Sequence, residues 1–147
     1  MEELYIKEAL IEAERAKQIK EVPVGAIIVK DNIILARAHN LKESLKDCTA
    51  HAEILAIRRA ASVLKNWRLN SCEMYVTLEP CPMCAAAISA SRIRKVYIGT
   101  FDPNMGAGGS VVNLLQNEYL NYNTEVKWIY SEDCSKIIKD FFKERRQ

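Results

Sequence analysis

The stretch EMYVTLEPCPMCAAAISASRIRKVYIGTF, residues 73–101, decides how this chain folds. Its first part, EMYVTLEP, is dense in β-forming residues and reads as a strand. PMCAAAISASRIR is rich in alanine and reads as a helix, and KVYIGTF reads as a second strand. Strand, helix and strand in succession set up an alternation that the flanking sequence extends.

Upstream, HAEILAIRRAASVLK begins at His51 and carries Ile54, Ile57, Ala61 and Leu64 at helical spacing among basic residues. Before it, GAIIVKDNIILARAHN reads as two β segments about a tight KDN turn, the second leading to His39 and Asn40. Ile6, Ala9, Leu10, Ala13 and Ala16 place an amphipathic helix over residues 2–19, ending before EVPVG. Downstream, DPNMGAGGS is a glycine-rich loop and VKWIY a short strand; Ser131 with Glu132 and Asp133 makes the capped, acidic start of a last helix. Strands alternating with helices predict an α/β fold, an α/β/α sandwich around a mixed and largely buried sheet. At 147 residues, with no internal repeat or low-complexity segment, residues 1–147 fit one domain with a proper core.

Composition excludes more than it assigns. A formal net charge of +2 rules out a polybasic tail or an acidic solvating protein, so any nucleic-acid contact must come from local clustering. The opening MEELYIKEALIEAERAKQ mixes charged and apolar residues without an apolar run, so it is neither a signal peptide nor a membrane span, and the expected location is the cytoplasm. MGAGGS lacks the lysine and spacing of a Walker motif and does not lead from a strand into a helix as G-x-G-x-x-G, which sets nucleotide-phosphate binding aside.

The cysteines point to a metal. Cys48, Cys72, Cys81, Cys84 and Cys134 make an odd count in a chain with a large core, and in a reducing compartment the Cys81–Cys84 pair favours metal over a disulfide. Three residues apart, both thiols share one face of a first helical turn, and Pro82 suits the first helical position. His51 and Glu53 are two apart, so on a regular helix they point about 200° from each other. They serve one site only if it lies beyond the helix N-terminus. His51, Cys81 and Cys84 are three ligands suited to zinc. The fourth position is either open, leaving Glu53 to move protons in a catalytic site, or closed by Cys48 in a structural one.

HAE followed by PCPMC resembles the zinc-dependent nucleoside and nucleobase deaminases, the cytidine/deoxycytidylate deaminase superfamily, with its H-x-E and P-C-x-x-C signature. Across nearly the full chain, VPVGAIIV, HN, TAHAEILAIR, YVTLEPCPMCAAAI, GAGGS and FFKERR follow in the order shown by bacterial tRNA-specific adenosine deaminases. The glycine-rich loop and the FFKERR ending are the more specific marks. Two departures stand out: Cys48 where that family usually has proline, and Pro103, Asn104 and Met105 where it commonly has a small residue, lysine and threonine.

The resemblance implies a cytidine-deaminase-like three-layer α/β/α sandwich with a mixed central sheet. It implies one zinc per subunit held by His51, Cys81 and Cys84, and hydrolytic deamination of adenosine to inosine at the wobble position of a tRNA anticodon, an arginine tRNA being the expected one. Glu53 is then the catalytic proton shuttle, and zinc activates the water that attacks carbon 6 of adenine. Asn40, Ala52, Val24 and Asp102 are the substrate-binding residues it suggests; Asp102 reads equally as a turn acid capping DPN. Its partners are a tRNA anticodon stem-loop and a second copy of the chain, with the helix PMCAAAISASRIR as an interface candidate, and no membrane. Basic clusters for RNA are Arg92, Arg94 and Lys95, and Lys143, Arg145 and Arg146 beside Phe141 and Phe142. His39 reads as a packing residue, and Cys72 and Cys134 as buried thiols. The alternatives are a guanine or cytosine-nucleotide deaminase with the same chemistry, and a non-catalytic zinc module with Cys48 as fourth ligand.

Overall fold

The computed structural model describes residues 1–146. Along the chain run α1 (Glu2–Gln18), β1 (Gly25–Lys30), β2 (Ile33–His39), α2 (Lys42–Leu45), α3 (Ala52–Leu64), β3 (Glu73–Leu78), α4 (Pro82–Ala90), β4 (Lys95–Thr100), β5 (Glu125–Trp128) and α5 (Glu132–Arg145). Nine of these match the elements expected from periodicity to within a few residues. The tenth, α2, is a single turn, too short to leave a repeating apolar signal.

The five strands form one sheet in the order β2-β1-β3-β4-β5. β1 runs antiparallel to both β2 and β3, whereas β3, β4 and β5 are mutually parallel neighbours. The sheet is therefore mixed, as the sequence predicts. Parallel neighbours need a crossover, and α4 supplies it between β3 and β4. Between β4 and β5 the crossover is the irregular segment 101–124, which contains the glycine-rich loop.

Alternation along the strands feeds two cores. Ile28, Met74, Val76, Val96 and Ile98 face α3 and α4, packing with Leu55, Ala56, Ala60, Ala85 and Ile88. Ile27, Val29, Tyr75 and Tyr97 face α1 and α5 through Tyr5, Ile6, Ala9 and Cys134. Tyr75 and Tyr97 are register partners, and their rings stack with centroids 4.1 Å apart. Helices on both faces complete the α/β/α layering.

Local chemistry sets the connections. Asp31 and Asn32 both take positive φ, 51° and 62°, the pairing a two-residue hairpin turn requires, and both residue types tolerate it. Gly25 opens β1 where α1 crosses it; a Cβ there would collide with backbone atoms of Ala9 and Ala13. Ser131 Oγ accepts the Cys134 N–H at 3.2 Å, the cap expected for α5. Cys72 and Cys134 are buried thiols, as expected. Among the described residues, no helix is long and apolar enough to cross a membrane.

Candidate active site

One edge of the sheet collects the site, and strand direction explains why. Because β1 is antiparallel to both its neighbours, its start lies beside the ends of β2 and β3, and the parallel β4 ends at that edge too. Val24 precedes β1, Asn40 follows β2, Glu79 follows β3 and Asp102 lies just beyond β4. Together with His51, Ala52, Glu53 and Cys81 they line a pocket of about 410 Å³, which Asn104, Met105 and, from α5, Phe142 also border. Every sequence-predicted substrate residue therefore reaches one cavity, of a size suited to a small organic group.

The floor of the pocket is made by two helix starts. His51 is the N-cap of α3 and Cys81 the N-cap of α4, both in extended backbone conformation, with Pro82 at the first helical position as predicted. Glu53, in the first turn of α3, lines the same pocket as the two N-cap residues, because first-turn side chains at a helix end can converge there. Ligand atoms of His51, Cys81 and Cys84 all lie within 4.8 Å of one another, and His51 Nδ1 is 3.7 Å from Cys81 Sγ and 3.5 Å from Cys84 Sγ. Tetrahedral zinc, with bonds of about 2.3 Å to sulfur and about 2.0 Å to nitrogen, sets those atoms about 3.5 Å apart. The donor set and its spacing fit zinc, and the positive ends of two helix dipoles favour thiolate there. Cys48 is exposed and does not join the cluster, so three protein groups converge among the described residues, not four.

Electrostatics follow the geometry. Hydrogen bonds from Cys84 and His51 pull the Cys81 thiol down to about 4. Its hydrogen bond to Cys81 and its burial push Cys84 the other way, well above the ordinary thiol range, and His51 is raised by its hydrogen bond with Cys81. Burial pushes the Glu53 carboxyl up to about 7, the range in which a carboxyl both accepts and returns a proton at neutral pH.

Two predicted residues carry more than one task. Asn40 is buried; its Nδ2 donates to the Val22 carbonyl at 3.3 Å and its Oδ1 accepts the Lys42 N–H at 3.0 Å, so its amide is oriented before any ligand arrives. Asp102 lines the pocket and also accepts the N–H groups of Asn104 and Met105 through Oδ1, so the turn-capping reading holds for one oxygen. His39 packs as expected, its Nδ1 2.9 Å from Glu12 Oε1.

Among the buried glutamates that sequence reasoning missed, two anchor segments that line the pocket. Glu21 accepts the Glu43 N–H at 3.0 Å and both the N–H and Oγ–H of Ser44 at 2.6 Å, holding α2 beside Asn40. Glu79 accepts the N–H groups of Asp102, Gly108 and Ser110. The only signal available was an acid set in an otherwise apolar or proline-rich context, KEVPV and TLEPC. The basic clusters also separate. Lys143 and Arg146, with Lys139, Phe101 and Phe142, line a second groove that shares Asp102, Asn104 and Phe142 with the pocket. Arg92, Arg94 and Lys95 sit at the start of β4, roughly 16 Å of strand from the site, and are engaged by Trp67 and Tyr122, Glu73 and Glu125 respectively.

A mixed sheet with thiols, imidazole and a buried carboxyl gathered at paired helix N-termini defines a deaminase, and the family model for MafB19-like deaminases matches residues 2–146. The chain is 48% identical over 147 residues to a tRNA-specific adenosine deaminase of Bacillus subtilis (strain 168), covering 99% of this chain and 91% of the relative. It is 49% identical over 146 residues to one from Aquifex aeolicus (strain VF5), covering 98% and 95%. A solved structure from a study of A-to-I editing by tRNA:A34 deaminases at the wobble position of transfer RNA superposes with a TM-score of 0.87 at 42% identity, over 90% of this chain and 97% of that one. The chain belongs to the tRNA-specific adenosine deaminase family.

Proposed function

We propose that this protein converts adenosine to inosine at the wobble position of a tRNA anticodon, the arginine tRNA being the expected substrate, with water consumed and ammonia released. The observation that carries the reading is the convergence of His51, Cys81 and Cys84 within 4.8 Å, on a pocket whose wall includes the buried Glu53.

In this reading His51, Cys81 and Cys84 hold one zinc per subunit, and the bound ion supplies the Lewis acidity that makes water a competent nucleophile near neutral pH. Glu53 does the proton work: its carboxylate takes one proton from the attacking water and delivers it to the adenine ring nitrogen, then takes the second from the hydroxyl added at carbon 6 and delivers it to the amino group, which departs as ammonia. Asn40, already oriented by Val22 and Lys42, offers its remaining amide capacity to the base. Val24 packs against the ring, Ala52 offers backbone polar groups to the base, and the second carboxylate oxygen of Asp102 serves the sugar. An anticodon loop suits such a pocket because its bases are unpaired and splay outward at low cost.

RNA contacts are assigned to Lys143 and Arg146, which border the second groove, and to Phe142, exposed between the two cavities. The reading includes a cytoplasmic homodimer, with the exposed small residues Ala86 and Ala90 of α4 on the candidate interface.

The deciding assay offers zinc-loaded protein an anticodon stem-loop with adenosine at the wobble position, beside free adenosine, guanine, cytidine and deoxycytidylate. Inosine in the stem-loop alone is the expected result. Turnover of guanine or a cytosine nucleotide with the stem-loop untouched would replace the tRNA reading, and tightly held zinc with no turnover at all would replace catalysis.

A further inference from the structure

We propose that Glu79 is a positioning residue: its carboxylate ties the strand that leads to Cys81 to the loop that forms the substrate wall of the pocket. Glu79 is 2% exposed and sits between the end of β3 and Pro80. Oε1 accepts the Asp102 N–H at 2.9 Å, and Oε2 accepts those of Gly108 at 2.9 Å and Ser110 at 3.0 Å. One side chain thereby grips the beginning and the end of the glycine-rich loop.

The surrounding backbone is built to the same purpose. Glu79 N–H donates to the Thr100 carbonyl and Ala107 N–H to the Pro80 carbonyl, both at 2.8 Å, so backbone bonds join the same two segments that the carboxylate links. Gly106 has no room for a side chain: a Cβ would strike the Glu79 carboxyl and the Asp102 carbonyl. At Gly108 a Cβ would stand 3.4 Å from Glu79 Oε2 and 3.2 Å from Ile98 Cδ1. Gly106 is thus demanded by the buried acid, whereas Gly109 answers to its positive φ of 131°, with nothing within 4 Å of where a Cβ would stand.

The hold is nested. Glu79 fixes the backbone of Asp102, and Asp102 in turn fixes Asn104 and Met105, all three of which line the pocket. A carboxylate offers acceptors only, which is what three converging N–H groups require. Glutamine keeps nearly the same shape but turns an NH₂ group toward at least one of them. Glu79 touches no reacting atom in the proposed chemistry, so its effect passes through the loop and falls on substrate binding more than on the proton steps.

The test rests on the deaminase reading for its kinetics but not for its exchange arm. Wild type, Glu79→Gln and Gly106→Ala, all zinc-loaded, are compared for zinc per chain, for kcat and KM on the anticodon stem-loop, and for amide hydrogen exchange at Asp102, Gly108 and Ser110. Expected in Glu79→Gln are full zinc, KM raised about tenfold, kcat changed by less than about threefold, and faster exchange at those amides. Gly106→Ala, which crowds the carboxylate without removing it, is expected to show the same KM-weighted loss. Unchanged KM and exchange with only a lowered melting temperature would reduce Glu79 to a structural role, and loss of zinc would place its action on Cys81 instead. An inactive wild type would fail the deaminase reading alone; rapid exchange at the three amides in wild type would overturn the inference even if neither variant folds.

Discussion

His51 Nδ1 lies 3.5 Å from Cys84 Sγ across 33 positions of sequence. The contact exists because α3 and α4 pack side by side on one face of the sheet with their N-terminal ends at the same edge, so each helix delivers its first turn to a common point. Two positive helix ends and no basic side chain in either first turn favour thiolates at that point, and it is the thiolates that attract a cation.

The three-ligand cluster predicts which cysteines matter. Cys81→Ser and Cys84→Ser, and likewise His51→Ala, are expected to purify with little zinc, whereas the exposed Cys48→Ser keeps one zinc per chain and normal turnover. Metal analysis of the four proteins decides it; zinc loss in Cys48→Ser would mean a fourth protein ligand and a closed site.

Glu53 separates metal binding from chemistry. Glu53→Gln removes the proton carrier without adding bulk beside the ligands, so zinc content should stay at one per chain while kcat falls by about 100- to 10,000-fold. Single-turnover inosine formation measures the drop, and a variant within a few-fold of wild type would remove Glu53 from the mechanism.

Glu21 gives the fold a pH signature. Its burial works to raise the carboxyl, but hydrogen bonds from the Ser44 hydroxyl, the Ser44 N–H and the Glu43 N–H outweigh it and hold the group below its ordinary value of 4.5. The folded state therefore binds that proton less tightly than the unfolded chain does. Its contribution to stability is complete above pH 4.5 and drains away as pH falls through the lowered folded value. Urea unfolding should find Glu21→Gln less stable than wild type by about 1–3 kcal/mol at pH 7, with the gap shrinking below pH 4.5. A gap that stays constant with pH would contradict the assignment.

The two basic clusters should behave differently toward RNA. Lys143→Ala, on the groove beside the pocket, is expected to raise KM for the stem-loop several-fold and to reduce the salt dependence of binding by roughly one phosphate contact. Arg94→Ala, at the far end of β4 and paired with Glu73 at 2.9 Å, should leave both unchanged. Titrations of the stem-loop at several salt concentrations compare them, and equal losses would extend the RNA surface to the start of β4.

What the sequence by itself determined were the properties that depend on neighbours along the chain. Helix and strand positions followed from apolar spacing, the α5 cap from Ser131, and the half-site from Cys81, Pro82 and Cys84, because each is decided within one or two turns. His51, Glu53, Cys81 and Cys84 were legible for the same reason, each lying in the first turn or cap of a readable helix. The tertiary structure alone decided that both helices begin at one sheet edge, that Cys48 stands outside the cluster, and that Arg92, Arg94 and Lys95 lie far from the pocket. It also assigned Glu21 and Glu79, whose partners, apart from the Ser44 hydroxyl, are backbone N–H groups at least 22 residues away. Backbone N–H groups are the same at every residue, so no side-chain pattern marks which of them will meet a buried acid. Only the folded path of the chain does.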